Sequence, residues 1–373
     1  MPSINEILDS LASENRLRRI PHSQPEGILD LASNDYMGLG QRHQDFTEEF
    51  FRRFPDAGFS SSASRLLSIR QDYHKSLEEY LESLYGKPVL LFNSGYHANV
   101  GCIGALTLPS TLFLCDKLIH ASVVDGLRIA SSVFKRFPHN DMAKLRRLLE
   151  KEAPCYERVI VVVESIYSMD GDEAPLAELV SLKREFPNVM LYLDEAHAFG
   201  VRGRMGLGMA EELSLINEFD LIIGTLGKAA ASSGAFAVCR EEVKNLLINL
   251  ARPFIFSTAL PPVNAAWSQL MIEKLIAMNE ERQYLRELSE WFREQLKLTT
   301  GEETVSTSQI IPYLTGNAER AIAIAERLRE HSIIALPIRR PTVPPGGERI
   351  RFSLSCAMKR DDFYNLFNIL RTL

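Results

Sequence analysis

Four short segments place chemically capable residues directly after strand-length apolar runs: Phe92-Asn-Ser-Gly-Tyr96, Glu164-Ser-Ile-Tyr-Ser-Met-Asp-Gly171, Asp194-Glu-Ala-His197 and Gly224-Thr-Leu-Gly-Lys228. In an open α/β sheet, ligands collect beyond the carboxyl ends of the strands, so polar residues there carry the most weight. Asp194 follows the run Val189 to Leu193, where an ionised carboxylate is costly to bury unless a cation or hydrogen-bond donors face it. A protonated ring nitrogen would serve as the cation, and His197, three residues on, would reach a phenolic oxygen of the same ring. Taken alone, Asp194 would equally serve as a helix N-cap. Lys228 lies between Gly227 and Ala229-Ala-Ala-Ser-Ser-Gly234, small residues that let a ligand approach the backbone. An amine in a partly desolvated pocket has a lowered pKa and forms a Schiff base with an aldehyde, the use of lysine in pyridoxal phosphate enzymes. A solvated lysine in a small-residue turn is the plainer alternative, and Asp194 one strand away weighs against it.

A phosphate needs backbone N–H groups at a helix start, and Asn93-Ser-Gly-Tyr96 offers a strand, a Gly turn and then a helix expected over Ala98 to Leu106. Ser94, Gly95 and Tyr96 are therefore the candidate cradle, with Thr225 adding a hydroxyl, although a plain strand-to-helix turn reads the same way. His120, in Leu118-Ile-His-Ala-Ser122, has a flat ring suited to stacking on an aromatic cofactor or, equally, to a place in the core. Gly203-Arg-Met-Gly-Leu-Gly208 has dinucleotide-loop spacing but does not link a strand to a helix, and it is set aside.

These residues need a sheet to hold them. Apolar runs at Pro88–Phe92, Thr111–Cys115, Arg158–Val163, Val189–Leu193, Leu221–Ile223 and Ala235–Val238 alternate with helix-length stretches. Runs apolar on both faces predict a mostly parallel sheet covered by helices, an α/β architecture. Ser3 and Glu6 have capping-box spacing, which starts a first helix. The expected organisation is an N-terminal helix and segment over 1–45, a large α/β domain over 46–262, a linking helix over 263–300 and a small α+β domain over 301–373. The last should run strand (309–314), helix (318–331), strand (333–338), a Pro/Gly turn (341–347), strand (348–355) and a closing helix.

Composition agrees with a folded multi-domain chain: 373 residues, 46% hydrophobic and 24% charged, with interspersed charges summing to −6. No basic patch invites nucleic acid. The apolar runs fall far short of the roughly 20 residues that a membrane-spanning helix needs. No secretory signal is visible, so a cytoplasmic location is expected. Five scattered cysteines fit reduced, buried thiols and no zinc site, and no metal is expected.

In order along the chain, Ser33-Asn-Asp-Tyr-Met-Gly-Leu39, Ser64-Arg-Leu-Leu-Ser68, Phe92–Tyr96, Asp116-Lys-Leu-Ile-His-Ala-Ser122, Ser168-Met-Asp-Gly-Asp-Glu-Ala-Pro-Leu176, Asp194–His197, Gly224–Lys228, Arg339-Arg-Pro-Thr-Val-Pro-Pro345 and Arg349-Ile-Arg351 resemble the α-oxoamine synthases. That family belongs to the fold-type I pyridoxal phosphate enzymes, and the resemblance spans nearly the whole chain. It implies a large domain with a mostly parallel sheet and a small C-terminal α+β domain. It also implies that Lys228 carries the cofactor as a Schiff base, that Asp194 pairs with the ring nitrogen, and that His197 and Ser168 contact the phenolic oxygen. His120 would stack on the ring, Ala196 would lie beneath it, and Glu164 would stand beside it. Ser94, Gly95, Tyr96 and Thr225 would hold the phosphate, with Ser257 or Thr258 supplied by the second subunit of a homodimer with interfacial sites. Arg351, with Asn34 close by and Thr342 also at the substrate, would clamp the amino-acid carboxylate.

Within the family, Arg339 to Pro345 resembles the biotin-pathway branch, which condenses L-alanine with a pimeloyl thioester, on coenzyme A or acyl carrier protein, to 8-amino-7-oxononanoate. Glycine C-acetyltransferase-like siblings are the nearest alternative. A non-catalytic partner of the same fold should lack Lys228, and a Rossmann dehydrogenase should carry a Gly-rich loop after its first strand. Three stretches depart from the family's usual glycines: Ser60-Ser-Ser-Ala-Ser64, Ala198-Phe199 and Ala229-Ala230. They are expected to add side-chain bulk near the site.

Overall fold

The computed structural model describes residues 2–20 and 27–372, so residues 21–26 of the expected N-terminal segment lie outside the described residues. Internal contacts divide the chain into two units: one comprises 37–167 and 173–282, the other 1–36, 168–172 and 283–373.

The larger unit is built on seven strands: β1 (Val89–Phe92), β2 (Thr111–Asp116), β3 (Val133–Phe137), β4 (Arg158–Glu164), β5 (Val189–Asp194), β6 (Leu221–Thr225) and β7 (Ala235–Cys239). Their spatial order is β1-β7-β6-β5-β4-β2-β3. Only β7 runs against its neighbours. The other pairs are parallel. Outside the edge strand β3, nearly every strand residue is buried, so successive side chains enter a core on one face or the other. On one face Leu90, Phe113, Cys115, Ile160, Val162, Tyr192 and Ile223 pack with residues of the helices Gly95–Leu106, Ala121–Ile129 and Glu241–Leu250.

Six strands match the expected runs to within a residue or two. The seventh, Val133-Phe-Lys-Arg-Phe137, has no apolar run to announce it. It is the outer edge, and charged residues on an edge strand discourage pairing with another chain. The linking helix expected over 263–300 is two helices, Pro262–Ala277 and Asn279–Thr300, parted at Met278. Arg282 accounts for the break: its guanidinium donates to the carbonyl oxygens of Leu275 and Ile276, satisfying the end of the first helix from outside it.

The smaller unit begins with the helix Ile4–Ser13, whose Ser3–Glu6 capping box is formed in both directions. Its three-stranded antiparallel sheet places Arg349–Ser353 between Leu336–Ile338 and Ile310–Leu314. The helix Ala318–Arg329 and a closing helix Tyr364–Leu370 complete it. The single strand expected over 333–338 is divided: Ile333–Ile334 pairs in parallel with Leu29–Asp30, and Leu336–Ile338 pairs with Arg349–Arg351. On the central strand, Arg349 and Arg351 share one face and Ile350 and Phe352 the other. Phe352 packs its ring 5.5 Å from Phe292.

The cysteines are all free; Cys102, Cys115 and Cys239 are buried as expected, whereas Cys155 is exposed at the end of a short turn. Among the described residues no helix is long and apolar enough to cross a membrane.

Gly224 faces Phe236 across the β6–β7 pair, and a methyl group there would overlap the phenyl ring. Gly224→Ala is expected to lower unfolding stability by about 1–3 kcal/mol, measured by urea denaturation. A variant as stable as the parent would show that Phe236 can move aside.

Candidate active site

β1 ends at Phe92 and the chain turns into the helix Gly95–Leu106. Ser94 caps it, its hydroxyl accepting the His97 N–H at 3.2 Å. The first turn contains no acidic residue, so the remaining N–H groups and the positive end of the helix dipole are left for an anion. Gly95 is required here by space: a Cβ would stand 2.7 Å from Thr225 Cγ2. The close approach sets the Thr225 methyl, at the end of β6, against the helix start, while its hydroxyl donates to the Ala196 carbonyl at 3.3 Å.

Asp194 ends β5 and is only 4% exposed. Its Oδ2 accepts from Asn99 Nδ2 at 2.8 Å and its Oδ1 from the Ala196 N–H at 3.0 Å. Two donors on a buried carboxylate stabilise its charged form. Asn99 also donates to Ser122 Oγ at 2.9 Å, while its own Oδ1 accepts from the Tyr192 hydroxyl at 2.6 Å. His120 caps the helix Ala121–Ile129 through Nδ1, which receives the Ser122 N–H at 3.2 Å and lies 2.7 Å from Ser122 Oγ. Partial burial holds the imidazole below its ordinary pKa; Asp194 opposes this, Lys228 reinforces it and Asp125 opposes it. On the far side, Lys228 Nζ lies 3.1 Å from Nε2 of the buried His197.

These groups line one cavity of about 300 Å³ in the larger unit. Of the residues expected from sequence, it gathers Ser94, Gly95, Tyr96 and Thr225 at one end. His120, Glu164, Asp194, Ala196, His197 and Lys228 complete its walls. Ser257 lines a separate small pocket near His74, and Thr258 accepts a hydrogen bond from Asn93 through its carbonyl. Asn34, Ser168, Thr342 and Arg351 belong to the smaller unit. There the buried Arg351 guanidinium donates to Ser168 O at 2.6 Å, Ser353 Oγ at 2.6 Å and Asn34 Oδ1 at 3.2 Å, all neutral acceptors. The Tyr36 hydroxyl lies 3.4 Å from it.

Asn99, Ser122 and Ser233 also line the cavity and were not anticipated. For Asn99 and Ser122 the one sequence signal is a polar side chain in a small-residue or apolar helix, as Asn99 is in Gly95-Tyr-His-Ala-Asn-Val-Gly101; Ser233 lies in the turn between β6 and β7. The three departures expected to add side-chain bulk near the site send it elsewhere than into the cavity. Phe199 is 1% exposed and packs edge-on to Phe236, with ring centroids 5.0 Å apart, so its bulk enters the core. Ala229 and Ala230 are fully buried, and Ser61 caps the Leu260 carbonyl at 2.9 Å. None of these residues lines the cavity.

An anion cradle at a helix start, an amine at the end of a neighbouring strand and a buried carboxylate with its charge secured match the phosphate, aldehyde and ring nitrogen of pyridoxal phosphate. The Cβ-excluding contact at Gly95 and the donor pair on Asp194 are the structural features that fit it. Together with the sheet order, they define a pyridoxal phosphate-dependent transferase of fold type I.

Comparison with known proteins agrees. The profile of the aminotransferase class I and II family matches residues 26–370. A curated protein of Haemophilus influenzae, named "Putative 8-amino-7-oxononanoate synthase", is 43% identical over 97% of this chain and 98% of its own. A serine palmitoyltransferase from S. paucimobilis, solved with bound pyridoxal phosphate and myriocin, superposes with a TM-score of 0.85 at 27% identity, covering 92% of this chain and 87% of that one. The crystal structure of 8-amino-7-oxononanoate synthase from Francisella tularensis gives a TM-score of 0.80 at 26% identity, covering 93% of this chain and 98% of that one. The chain belongs to the aminotransferase class I and II family, in its α-oxoamine synthase branch, and is an enzyme that uses pyridoxal phosphate.

Glu195, next to Asp194 and fully buried, faces other partners: it accepts the N–H groups of Met209 at 3.1 Å and Ala210 at 2.8 Å. Burial pushes its pKa from 4.5 up to about 7, against the Ser165 hydroxyl, these two N–H groups and Arg202. As pH rises the unfolded chain gives up this proton first, so the stability Glu195 contributes is complete below 4.5 and is lost as pH climbs to about 7. Glu195→Gln should remove about 3 kcal/mol of that slope, read from urea melts at about pH 5 and about pH 8. Equal slopes in parent and variant would exclude Glu195 as its source.

Proposed function

We propose that this enzyme is a decarboxylating acyltransferase that joins L-alanine to a pimeloyl thioester, giving 8-amino-7-oxononanoate, CO2 and the free thiol in biotin biosynthesis. The observation that carries the reading is the near full-length 43% identity to a protein named for that product. The cavity supports it with Lys228, His120, His197 and the buried carboxylate of Asp194 among its lining residues. The thiol carrier is coenzyme A or acyl carrier protein. The enzyme would work in the cytoplasm as a homodimer, with Ser257 or Thr258 completing the partner's site.

When bound, pyridoxal phosphate supplies an electron sink for the charge left when the α-proton of an amino acid departs. The chain's residues set the conditions for that. Ser94, Gly95, Tyr96 and Thr225 hold the phosphate through N–H and hydroxyl groups. Asp194, held in place by Asn99 and the Ala196 N–H, binds the ring nitrogen in its protonated form. Lys228 tethers the cofactor and, once released, takes the α-proton on Nζ. His197, beside Lys228, and Ser168 bind the phenolic oxygen, while His120 offers a flat ring for stacking and Ala196 and Glu164 contact the cofactor. Arg351 binds the amino-acid carboxylate as a bidentate donor. Its guanidinium is bonded only to neutral groups, so an incoming anion meets an unneutralised charge. Asn34 and Thr342 complete the substrate contacts. Fixing the carboxylate fixes which bond of the α-carbon is aligned for cleavage.

A sibling activity with glycine or serine and another acyl donor is the second reading, favoured by the serine palmitoyltransferase likeness. Product mass after incubation with alanine, glycine or serine and a panel of acyl thioesters separates the two. 8-Amino-7-oxononanoate from alanine is the expected result, and product formed only from glycine or serine would overturn the first reading.

Lys228→Ala is expected to abolish turnover, a loss of at least about 1,000-fold in kcat. Activity equal to the parent's would remove Lys228 from its role. Arg351→Ala should chiefly raise the KM for alanine, by roughly 10- to 100-fold, and unaltered alanine dependence would take Arg351 out of the clamp.

A further inference from the structure

Asn99 lies one helical turn beyond Gly95, and its side chain is 2% exposed between Asp194, Ser122 and Tyr192. The direction of every hydrogen bond at this junction follows from chemistry. An ionised carboxylate has no hydrogen to give, so the amide must turn its NH2 toward Asp194 and its oxygen toward Tyr192. Burial raises the Tyr192 phenol well above its ordinary pKa, so it keeps its proton and donates it to Asn99 Oδ1. The second Asn99 hydrogen goes to Ser122 Oγ. With that oxygen accepting, the Ser122 hydroxyl hydrogen is free to point at His120 Nδ1, which already receives the Ser122 backbone N–H. Two donors at Nδ1 leave the ring neutral with its hydrogen on Nε2. The charged groups around the ring divide: Asp194 and Asp125 favour the imidazolium, and Lys228 opposes it. Their balance alone does not specify a tautomer, whereas the hydrogen-bond chain does.

We propose that Asn99 is a positioning residue that couples Asp194 to His120, holding the carboxylate in place and the imidazole in a single tautomer through one directed hydrogen-bond chain from Tyr192 to His120. Asn99 need not touch the cofactor for this; it acts on two residues that do. The carboxylate and the ring are then set together, because one amide supplies both N–H groups and the Tyr192 hydroxyl prevents it from flipping. The inference rests on the pyridoxal phosphate reading of the cavity and is independent of which amino acid or acyl group is used.

The test uses the cofactor-loaded enzyme without substrates, so a failure to make 8-amino-7-oxononanoate leaves it unaffected. Cofactor dissociation is measured by dialysis and absorbance, and the His120 ring nitrogens are followed by NMR of 15N-histidine-labelled protein. Asn99→Ala should weaken cofactor retention roughly 10- to 100-fold, as expected for losing a donor to a buried charge. It should also move the His120 nitrogens from a single-tautomer pattern toward an averaged one. Ser122→Ala, which leaves the Asn99–Asp194 bond in place, should move the same nitrogens while weakening cofactor retention by less than Asn99→Ala does. Tyr192→Phe, which keeps the ring in the core and leaves the amide free to turn, should shift both readouts in the Asn99→Ala direction by less. It serves as the test if Asn99→Ala does not fold. Unchanged affinity and unchanged His120 nitrogens in an Asn99→Ala protein that merely melts at lower temperature would make Asn99 a packing residue and overturn the proposal. A change confined to one of the two readouts in that variant would overturn the coupling.

Discussion

A carboxylate that must stay charged at the inner end of an apolar strand is the constraint around which the larger unit is arranged. Taking such a group out of water costs several kcal/mol, and the cost is met here by hydrogen bonds rather than by a neighbouring basic side chain. Asp194 receives the Asn99 amide and the Ala196 N–H, and Asn99 is itself held by Tyr192. Each partner comes from a different part of the chain: Tyr192 from the same strand, Ala196 from the turn after it, Asn99 from the helix that follows β1. The position therefore exists only when the β1 helix is packed on β5. The adjacent Glu195, fully buried, is pushed up to about 7 by burial against the Ser165 hydroxyl, the Ala210 and Met209 N–H groups and Arg202.

The same packing assembles the rest of the cavity. β6 lies beside β5, which places Thr225 and Lys228 at the same end of the sheet as Asp194. β4 lies on the other side of β5, with Glu164 in register with Asp194. The helix that supplies Asn99 also offers its first-turn N–H groups, and Gly95 lets it approach Thr225 without a clash. Anion cradle, amine and carboxylate are thus three consequences of one strand order, each stated by a different segment of the sequence. In the smaller unit the corresponding device is Arg351, buried among neutral acceptors on a central strand and suited to an anion.

Much of this was legible beforehand. Strands buried on both faces must be apolar throughout, so six of the seven stood out, and polar residues at their ends marked the cavity. Ser3 and Glu6 announced their capping box by spacing alone. The edge strand Val133–Phe137 did not stand out, because an exposed edge tolerates Lys135 and Arg136. The break at Met278 was hidden because its cause, Arg282, takes up the helix-end carbonyls through space and leaves no Gly or Pro in the chain. The bulk at Ala198-Phe199 was misplaced for a related reason: sequence shows that a side chain is large but not which side of the sheet it enters, and Phe199 packs on Phe236. Asn99 was missed because a single amide in a helix has no periodicity.

By itself, then, the order of residue types along the chain determined the α/β class, the strand ends that carry chemistry and the cofactor those ends could serve, because secondary-structure periodicity and covalent reactivity are local properties. Tertiary structure alone decided which polar groups share a hydrogen bond, how Asp194, Asn99, Ser122 and His120 form one directed chain, and whether added bulk faces the cavity or the core. Those outcomes depend on contacts between residues far apart in sequence, such as Asn99 with Asp194, 95 positions away, which exist only once the helix has packed on the sheet.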